Sequence, residues 1–183
     1  MSTTPAVTLR TAATADLAPH GLTAVRGLLD AAFAGEFADD DWSHALGGVH
    51  VLATVDGELV GHASVVVRQL VAGGRTLRTG YVEAVATAAH QRRRGVASAV
   101  MTEAERLVTG GFELGALSAS EEAAALYAGR GWTAWTGPTA ALTPDGVVDT
   151  PDEGVFVQPT PSTPAPPDTA GRLVCDWRRG DLW

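Results

Sequence analysis

The chain has 183 residues, is 45% hydrophobic and carries a formal net charge of −8, which suits one folded domain with a real core and excludes a disordered chain. No apolar run approaches the ~20 residues of a membrane span, and residues 1–10 lack the basic start and apolar core of a secretory signal. An acidic chain is also a poor match for nucleic-acid phosphates, so the expectation is a soluble cytoplasmic protein with neither a membrane nor a nucleic acid as partner. In chain order, Val7, Leu9 and Thr11 alternate with polar neighbours and predict a first strand. Leu22, Val25, Leu28, Leu29, Ala32 and Phe33 recur at helical spacing, with Pro19 at the start and Gly35 as a stop. A short acidic segment, 36–41, leads into Trp42. Residues 49–55 and 58–70 read as two strands around an Asp56-Gly57 turn; Gly73-Gly74 makes the next turn and 76–87 a further strand.

The clearest helix follows Gly95. Val96, Ala97, Val100, Met101, Ala104, Leu107 and Val108 form one apolar stripe, Glu103, Glu105 and Arg106 face the other way, and Gly110-Gly111 ends it. Residues 112–117 predict a strand and 120–128 a helix opening on Glu121 and Glu122, favourable charges at a helix N-terminus. Residues 133–136 begin another strand. The stretch 138–170, rich in Pro, Thr and Asp, reads as mostly loop with a short strand at 155–157, and 172–178 as a return to the sheet. No repeat and no sharp boundary appears, so the whole chain, 1–183, reads as a single domain.

Two compositional facts narrow the chemistry. The one cysteine, Cys175, excludes an intramolecular disulfide and reads as a buried, inert thiol. There is no Lys, Asn or Ile, and every basic residue apart from histidine is Arg. That usage points to a GC-rich genome, as in actinobacteria, and means that no lysine can act as acid, base or phosphate anchor. His20, His44, His50, His62 and His90 show no metal-ligand spacing, so no metal is expected.

The strand Tyr81-Val82-Glu83-Ala84-Val85-Ala86 runs within a few residues into Arg92-Arg93-Arg94-Gly95-Val96-Ala97, where the amphipathic helix opens. A strand, a basic turn of small residues and a helix N-terminus together make an anion site, because the first helical N–H groups lack partners and the dipole favours negative charge. Alone, R-x-x-G-x-A is more often a solvated basic turn; the strand before it and the long amphipathic helix after it reverse the balance in favour of the anion site.

This spacing resembles the acetyl-CoA motif of the GCN5-related N-acetyltransferases, Q/R-x-x-G-x-G/A, matched here by Arg92-x-x-Gly95-x-Ala97. The resemblance implies the GNAT fold: an α/β (α+β) architecture with a central mixed, mostly antiparallel sheet flanked by helices, its strands splayed at the acetyl-CoA site. It implies acetyl-CoA as cosubstrate, held by Val85, Ala86, Thr87, Arg92, Arg93, Arg94, Gly95, Val96 and Ala97, with a strand bulge at 83–85 and the Val85 N–H polarising the acetyl carbonyl.

Five stretches are similar, more narrowly, to aminoglycoside 2'-N-acetyltransferases: Ala32-Phe33-Ala34-Gly35 with Asp41-Trp42; Gly80-Tyr81-Val82-Glu83; Leu114-Gly115-Ala116-Leu117-Ser118; Leu126-Tyr127-Ala128 with Arg130-Gly131-Trp132; and Cys175-Asp176-Trp177-Arg178 with Gly180-Asp181-Leu182-Trp183. They span nearly the whole chain. Some relatives carry Asp where Glu36 stands and Ser where Ala119 stands, and 159–167 looks particular to this chain. The resemblance implies transfer of acetyl to a drug's 2'-amine, hence antibiotic resistance, by direct attack of the amine on the thioester. Tyr127 would be the general acid toward the departing sulfur, against a plain reading as a core tyrosine. For Glu83 two roles stay open, base through a water or anchor for the cationic drug. Glu36, Asp41, Glu83, Ala84, Ser118, Asp152, Glu153, Asp181 and Trp183 would line the drug site, the last through its α-carboxylate with its ring docked beside the drug. Asp39 and Asp40 read as bystanders, and His90 lies close enough to the turn to touch CoA. Analogy with relatives adds a homodimer. The alternatives are a GNAT enzyme for another amine (a polyamine, a cell-wall amino sugar or a protein N-terminus) and a non-catalytic acyl-CoA-binding module, which would have no need of Tyr127 and Glu83.

Overall fold

Two tight turns, Asp56-Gly57 and Gly73-Gly74, occupy left-handed backbone with φ of +50°, +83°, +57° and +74°. They fold the middle of the chain into three successive strands, β2 (Val49–Val55), β3 (Glu58–Ala72) and β4 (Arg75–Thr87). The structure is a computed structural model describing residues 6–151 and 153–183. Its contacts divide the chain into one unit running up to Val66 and including Val82–Arg106, and a second of Val67–Tyr81 with Leu107–Trp183.

In the first unit β1 (Thr8–Ala13) pairs antiparallel with β2, from Thr8 opposite Thr54 to Ala13 opposite Val49. β2 pairs antiparallel with β3, with a register shift between Ala53 and Thr54. The helix α1 (Pro19–Ala32) takes Pro19 in its first turn, where a missing N–H costs nothing, and buries Val25, Leu28 and Leu29. Val25 and Leu29 join Ala12, Leu17, Phe37, Leu52 and Ala86 in one core cluster. The stripe foreseen after Gly95 becomes α3 (Val96–Gly111), whose Val96, Val100, Met101 and Ala104 are buried. Gly61 admits this helix to β3: a Cβ there would stand 2.6 Å from Val96 Cγ1 and 3.2 Å from Val100 Cγ2.

The acidic segment is more ordered than its composition suggested. Residues 39–45 form α2 (Asp39–Ala45), with Ala38 as N-cap and three aspartates in the first turn. Asp41 Oδ2 accepts the Ala38 N–H at 2.9 Å. Carboxylates at that end favour the helix dipole and replace the hydroxyl cap the sequence lacks.

The second unit holds β5 (Leu114–Ser118), β6 (Thr133–Ala134), β7 (Thr139–Thr143), β8 (Gly146–Asp149), β9 (Val155–Pro159) and β10 (Leu173–Cys175). With β3 and β4 they give the strand order β6-β9-β5-β4-β3-β10-β7-β8. Parallel pairing joins Thr79–Tyr81 of β4 to Leu114–Ala116 of β5, and β10 to β7; β10 with β3, β5 with β9, β6 with β9 and β7 with β8 are antiparallel. The helix α4 (Glu121–Gly129) follows β5. The reading of 138–170 as loop needs correction at its start. Ala140, Ala141 and Leu142 pair with Asp149, Val148 and Val147 across the turn at Pro144-Asp145; these apolar runs are two or three residues long and do not alternate, so no strand period marks them. The closing strand is shorter than 172–178: after Cys175 the Asp176 carboxylate turns to Arg68, with Oδ1 2.8 Å from Nε. Among the described residues no helix is long and apolar enough to cross a membrane.

Candidate active site

In the first unit the site begins on β4. Ala84 lies at φ +52°, a conformation that costs an L-residue about 1–2 kcal/mol. The backbone irregularity therefore falls within 83–85, where the bulge was expected. A specific partner holds it: His62 Nδ1–H donates to the Ala84 carbonyl at 2.8 Å. Glu83, Ala84 and Val85 are each half-buried. Two residues beyond Val85, the Thr87 hydroxyl is buried and has no hydrogen-bond partner among the described residues.

A one-turn 3-10 helix (Ala89–Gln91) then carries the chain into the basic turn. Arg93 and Gly95 sit at φ +61° and +85°, and alternation into left-handed backbone gathers successive N–H groups into an anion-binding concavity. Arg92, Arg93, Arg94 and Gly95 are exposed, and among the described residues nothing beyond the adjoining residues lies within 4 Å of where a Gly95 Cβ would be. The Gly95 carbonyl accepts the Ala99 N–H at 2.9 Å to start α3, leaving the Val96 and Ala97 amides without intrahelical acceptors. His90 Nε2 lies 3.5 Å from Glu58 Oε1, on the rim of a cavity of about 510 Å3 lined also by Ala32, Leu59 and Ala88.

Glu36 is exposed just after α1, and Asp41 is half-buried in the first turn of α2. This acidic segment has a basic partner that is distant in sequence. Arg26 on α1 donates to Asp30 at 2.7 Å, to Asp39 at 3.0 Å and to the Phe37 carbonyl at 3.1 Å. Asp39 is thereby tied to α1.

In the second unit Ser118 ends β5 opposite Val155, and Ala119 N–H bonds the Gly154 carbonyl at 2.9 Å. A Cβ on Gly154 would meet the Ala119 carbonyl oxygen at 2.2 Å. This close approach brings Ser118 and Glu153 onto neighbouring positions. Glu153 also lines a cavity of about 380 Å3 with Trp135, Thr139 and Asp149; Asp152 lies outside the described residues. Tyr127 on α4 is 5% exposed, with Trp132 and Phe156 rings at 6.4 Å and 6.1 Å. Burial pushes its hydroxyl up to about 12. The Trp183 ring is buried, and its indole N–H donates to Thr150 Oγ1 at 2.7 Å. Arg178 Nη2 meets the Trp183 oxygen at 2.7 Å, and Asp181 Oδ1 accepts the Trp183 N–H at 3.2 Å.

The sequence reading passed over a buried polar chain in the first unit: Thr14 Oγ1 is 2.8 Å from His50 Nε2, and His50 Nδ1 is 2.9 Å from His62 Nε2. The signal available was two histidines within otherwise apolar strands.

Comparisons with known proteins bear on the family and the fold. The family described as acetyltransferase (GNAT) domain matches residues 16–135. An aminoglycoside 2'-N-acetyltransferase of Mycolicibacterium fortuitum is 46% identical over 180 residues, 96% of this chain and 92% of the relative. Among solved structures, the GNAT family N-acetyltransferase YhbS of Escherichia coli in complex with CoA has a TM-score of 0.65 at 16% identity, covering 95% of this chain and 92% of its own. Escherichia coli ElaA has a TM-score of 0.60 at 17% identity, covering 83% and 98%. The last two speak to the fold alone. With a matched domain over most of its length and a curated relative over nearly all of it, the chain belongs to the GNAT acetyltransferases and, among them, to the aminoglycoside 2'-N-acetyltransferase family.

Proposed function

We propose that this protein transfers the acetyl group of acetyl-CoA to the 2'-amine of aminoglycoside antibiotics. The observation that carries the reading is the 46% identity over 96% of the chain to an enzyme of that name. The first unit supplies features that fit acetyl-CoA. Three exposed arginines and the left-handed turn at Gly95 stand at the N-terminus of α3, suited to a pyrophosphate. The Thr87 hydroxyl, buried and without a partner among the described residues, is a donor or acceptor for the arm that runs from there toward Val85.

The reaction breaks the C–S bond of the thioester and forms an amide. The amine nitrogen attacks the acetyl carbon, the carbonyl oxygen gains negative charge, and the sulfur leaves as thiolate. In this reading the Val85 N–H donates to the developing oxyanion, a type of contact worth ~10²–10³ in kcat. Tyr127 protonates the departing sulfur; its raised pKa of about 12 keeps its proton in place at neutral pH. Glu83 receives the amine's proton through a water, or anchors another ammonium of the drug while that proton passes to solvent water, and Glu36, Asp41, Ser118, Glu153 and Asp181 meet the drug's other ammonium and hydroxyl groups. Trp183 meets the drug through its α-carboxylate, an oxygen of which also accepts from Arg178 Nη2 at 2.7 Å.

The test is regiochemical. Tobramycin, gentamicin and neomycin, which carry a 2'-amine, should be acetylated there. Kanamycin A and amikacin, which carry a 2'-hydroxyl, should not turn over, because a neutral hydroxyl is a poorer nucleophile and the remaining amines are held away from the thioester. Equal turnover of both sets, or acetate on a different nitrogen, would refute the assignment.

A further inference from the structure

The Ala84 carbonyl and the Val85 N–H are the two ends of one peptide group. The carbonyl end accepts His62 Nδ1–H at 2.8 Å. A carbonyl can only accept, so this bond fixes the His62 tautomer with its proton on Nδ1. His62 Nε2 must then accept, and the group facing it at 2.9 Å is His50 Nδ1, which therefore carries the proton. His50 Nε2 accepts in turn, from the Thr14 hydroxyl at 2.8 Å, and Thr14 Oγ1 accepts the Gly47 N–H at 2.9 Å. Every donor points one way, toward Ala84. Both imidazoles are fully buried, and burial lowers the basicity of each, that of His62 to about 4, so both are neutral at physiological pH.

From this geometry we infer that His62, backed by His50 and Thr14, is a positioning residue for acetyl transfer, which holds and polarises the Ala84–Val85 peptide group so that its N–H faces the thioester carbonyl as a stronger donor. Hydrogen bonds in series strengthen one another by perhaps 10–30% per link in a low-dielectric interior. The same bond anchors Ala84 in its left-handed conformation and offsets part of its cost. The inference rests on the reading of Val85 as the donor to the acetyl carbonyl. It adds what makes that donor rigid and strong: a chain running from Thr14, in the 3-10 turn just after β1, through His50 on β2 to His62 on β3.

Two polar substitutions separate the roles of the imidazole nitrogens. Asn at 62 places its amide N–H near the position of Nδ1 and keeps the donor to Ala84. Gln places it near Nε2, facing His50, and leaves the Ala84 carbonyl without a donor. The readout is the Val85 amide proton by NMR, with the protein saturated first with CoA and then with acetyl-CoA, which differ by the acetyl carbonyl. In the native protein the resonance should move downfield with acetyl-CoA. It should move similarly in His62→Asn and lose most of that shift in His62→Gln. In steady state, removal of an oxyanion donor costs ~10²–10³, and weakening one should lower kcat of His62→Gln about tenfold. KM for both substrates should stay within about twofold, and His62→Asn should restore most of the rate. If Val85 does not respond to the acetyl group in the native protein, the reading of Val85 fails and this inference with it. If Val85 responds equally in the native protein and in His62→Gln, or if Asn and Gln are equally impaired in kcat, the Val85 reading stands and the His62 inference is overturned.

Discussion

Gly95 and Gly57 form a natural matched pair. Both sit in left-handed backbone, at φ +85° and +83°, and at neither would a Cβ come within 4 Å of anything among the described residues beyond the adjoining residues. Alanine at either position meets the same local penalty, about 1–2 kcal/mol for an L-residue in that region, and no packing clash. The two positions differ in what lies outside the protein: Gly57 closes an exposed hairpin, while Gly95 opens the turn assigned to the CoA pyrophosphate. In Gly95→Ala either the turn keeps its φ and a methyl stands in the concavity, or it relaxes and re-aims the amides of Gly95 and Val96. Either way at least one charge-assisted hydrogen bond is lost, worth about 1.5–3 kcal/mol, which is roughly ten- to hundredfold in Kd. Urea unfolding should show Gly57→Ala and Gly95→Ala weakened alike. Calorimetric titration with acetyl-CoA should show the Kd of Gly95→Ala raised by that factor and that of Gly57→Ala unchanged. If both variants are equally destabilised and both bind acetyl-CoA as the native protein does, the turn is only a turn and the cosubstrate lies elsewhere.

Tyr127→Phe keeps the ring contacts with Trp132 and Phe156 and removes the proton, so kcat should fall ~10²–10⁴-fold with drug KM preserved; a change within about threefold would make Tyr127 structural. Acid should weaken the fold through His62. Its folded pKa of about 4 lies below the ordinary 6.5, so the unfolded chain takes up a proton that the folded chain refuses, and stability is lost as pH falls from about 6.5 toward 4. That shift corresponds to about 3 kcal/mol, and urea midpoints measured between pH 7 and 4 should fall less steeply in His62→Phe than in the native protein; parallel slopes would show that His62 carries none of the acid sensitivity. Gly61→Ala should lose about 1–3 kcal/mol through overpacking, since the new methyl meets Val96 Cγ1 at 2.6 Å and Ala53 Cβ at 3.1 Å, and a thermal melt unchanged from native would mean that α3 shifts without cost.

What was legible in the sequence was periodic or chemically punctuated. The apolar stripe of α3, the Asp56-Gly57 turn and the Arg92–Ala97 pattern each act within a few residues, and each stands where it was expected. The Trp183 ring, too bulky for water, is buried. What escaped depends on partners distant in the chain. Helix α2 begins without a hydroxyl cap, and its first turn is held by Asp41 from within and by Arg26 from α1. The β7–β8 hairpin needs β10 as its parallel neighbour, and no local pattern announces a strand that returns from 30 residues on. His50 and His62 sit on adjacent strands twelve residues apart, and only the register of β2 with β3 makes them one chain. The acidic segment 36–41 read as free of bases because Arg26 lies ten residues upstream of it.

Arg68 has a further consequence. This guanidinium, 4% exposed, binds the Asp176 carboxylate, the Asp176 carbonyl and the Leu182 carbonyl while lying 4.8 Å from the centre of the Tyr81 ring. One planar fork thus fastens both ends of the segment 176–182, so the segment should open as a unit, at a free-energy cost below that of global unfolding. Beneath it lies the chain's single thiol: Cys175 Sγ donates to that same Leu182 carbonyl at 3.4 Å and is 1% exposed. The protein therefore contains its own reporter. The rate at which a thiol reagent reaches Cys175 clocks the lifting of the segment that carries Asp181, independently of whether any substrate is turned over.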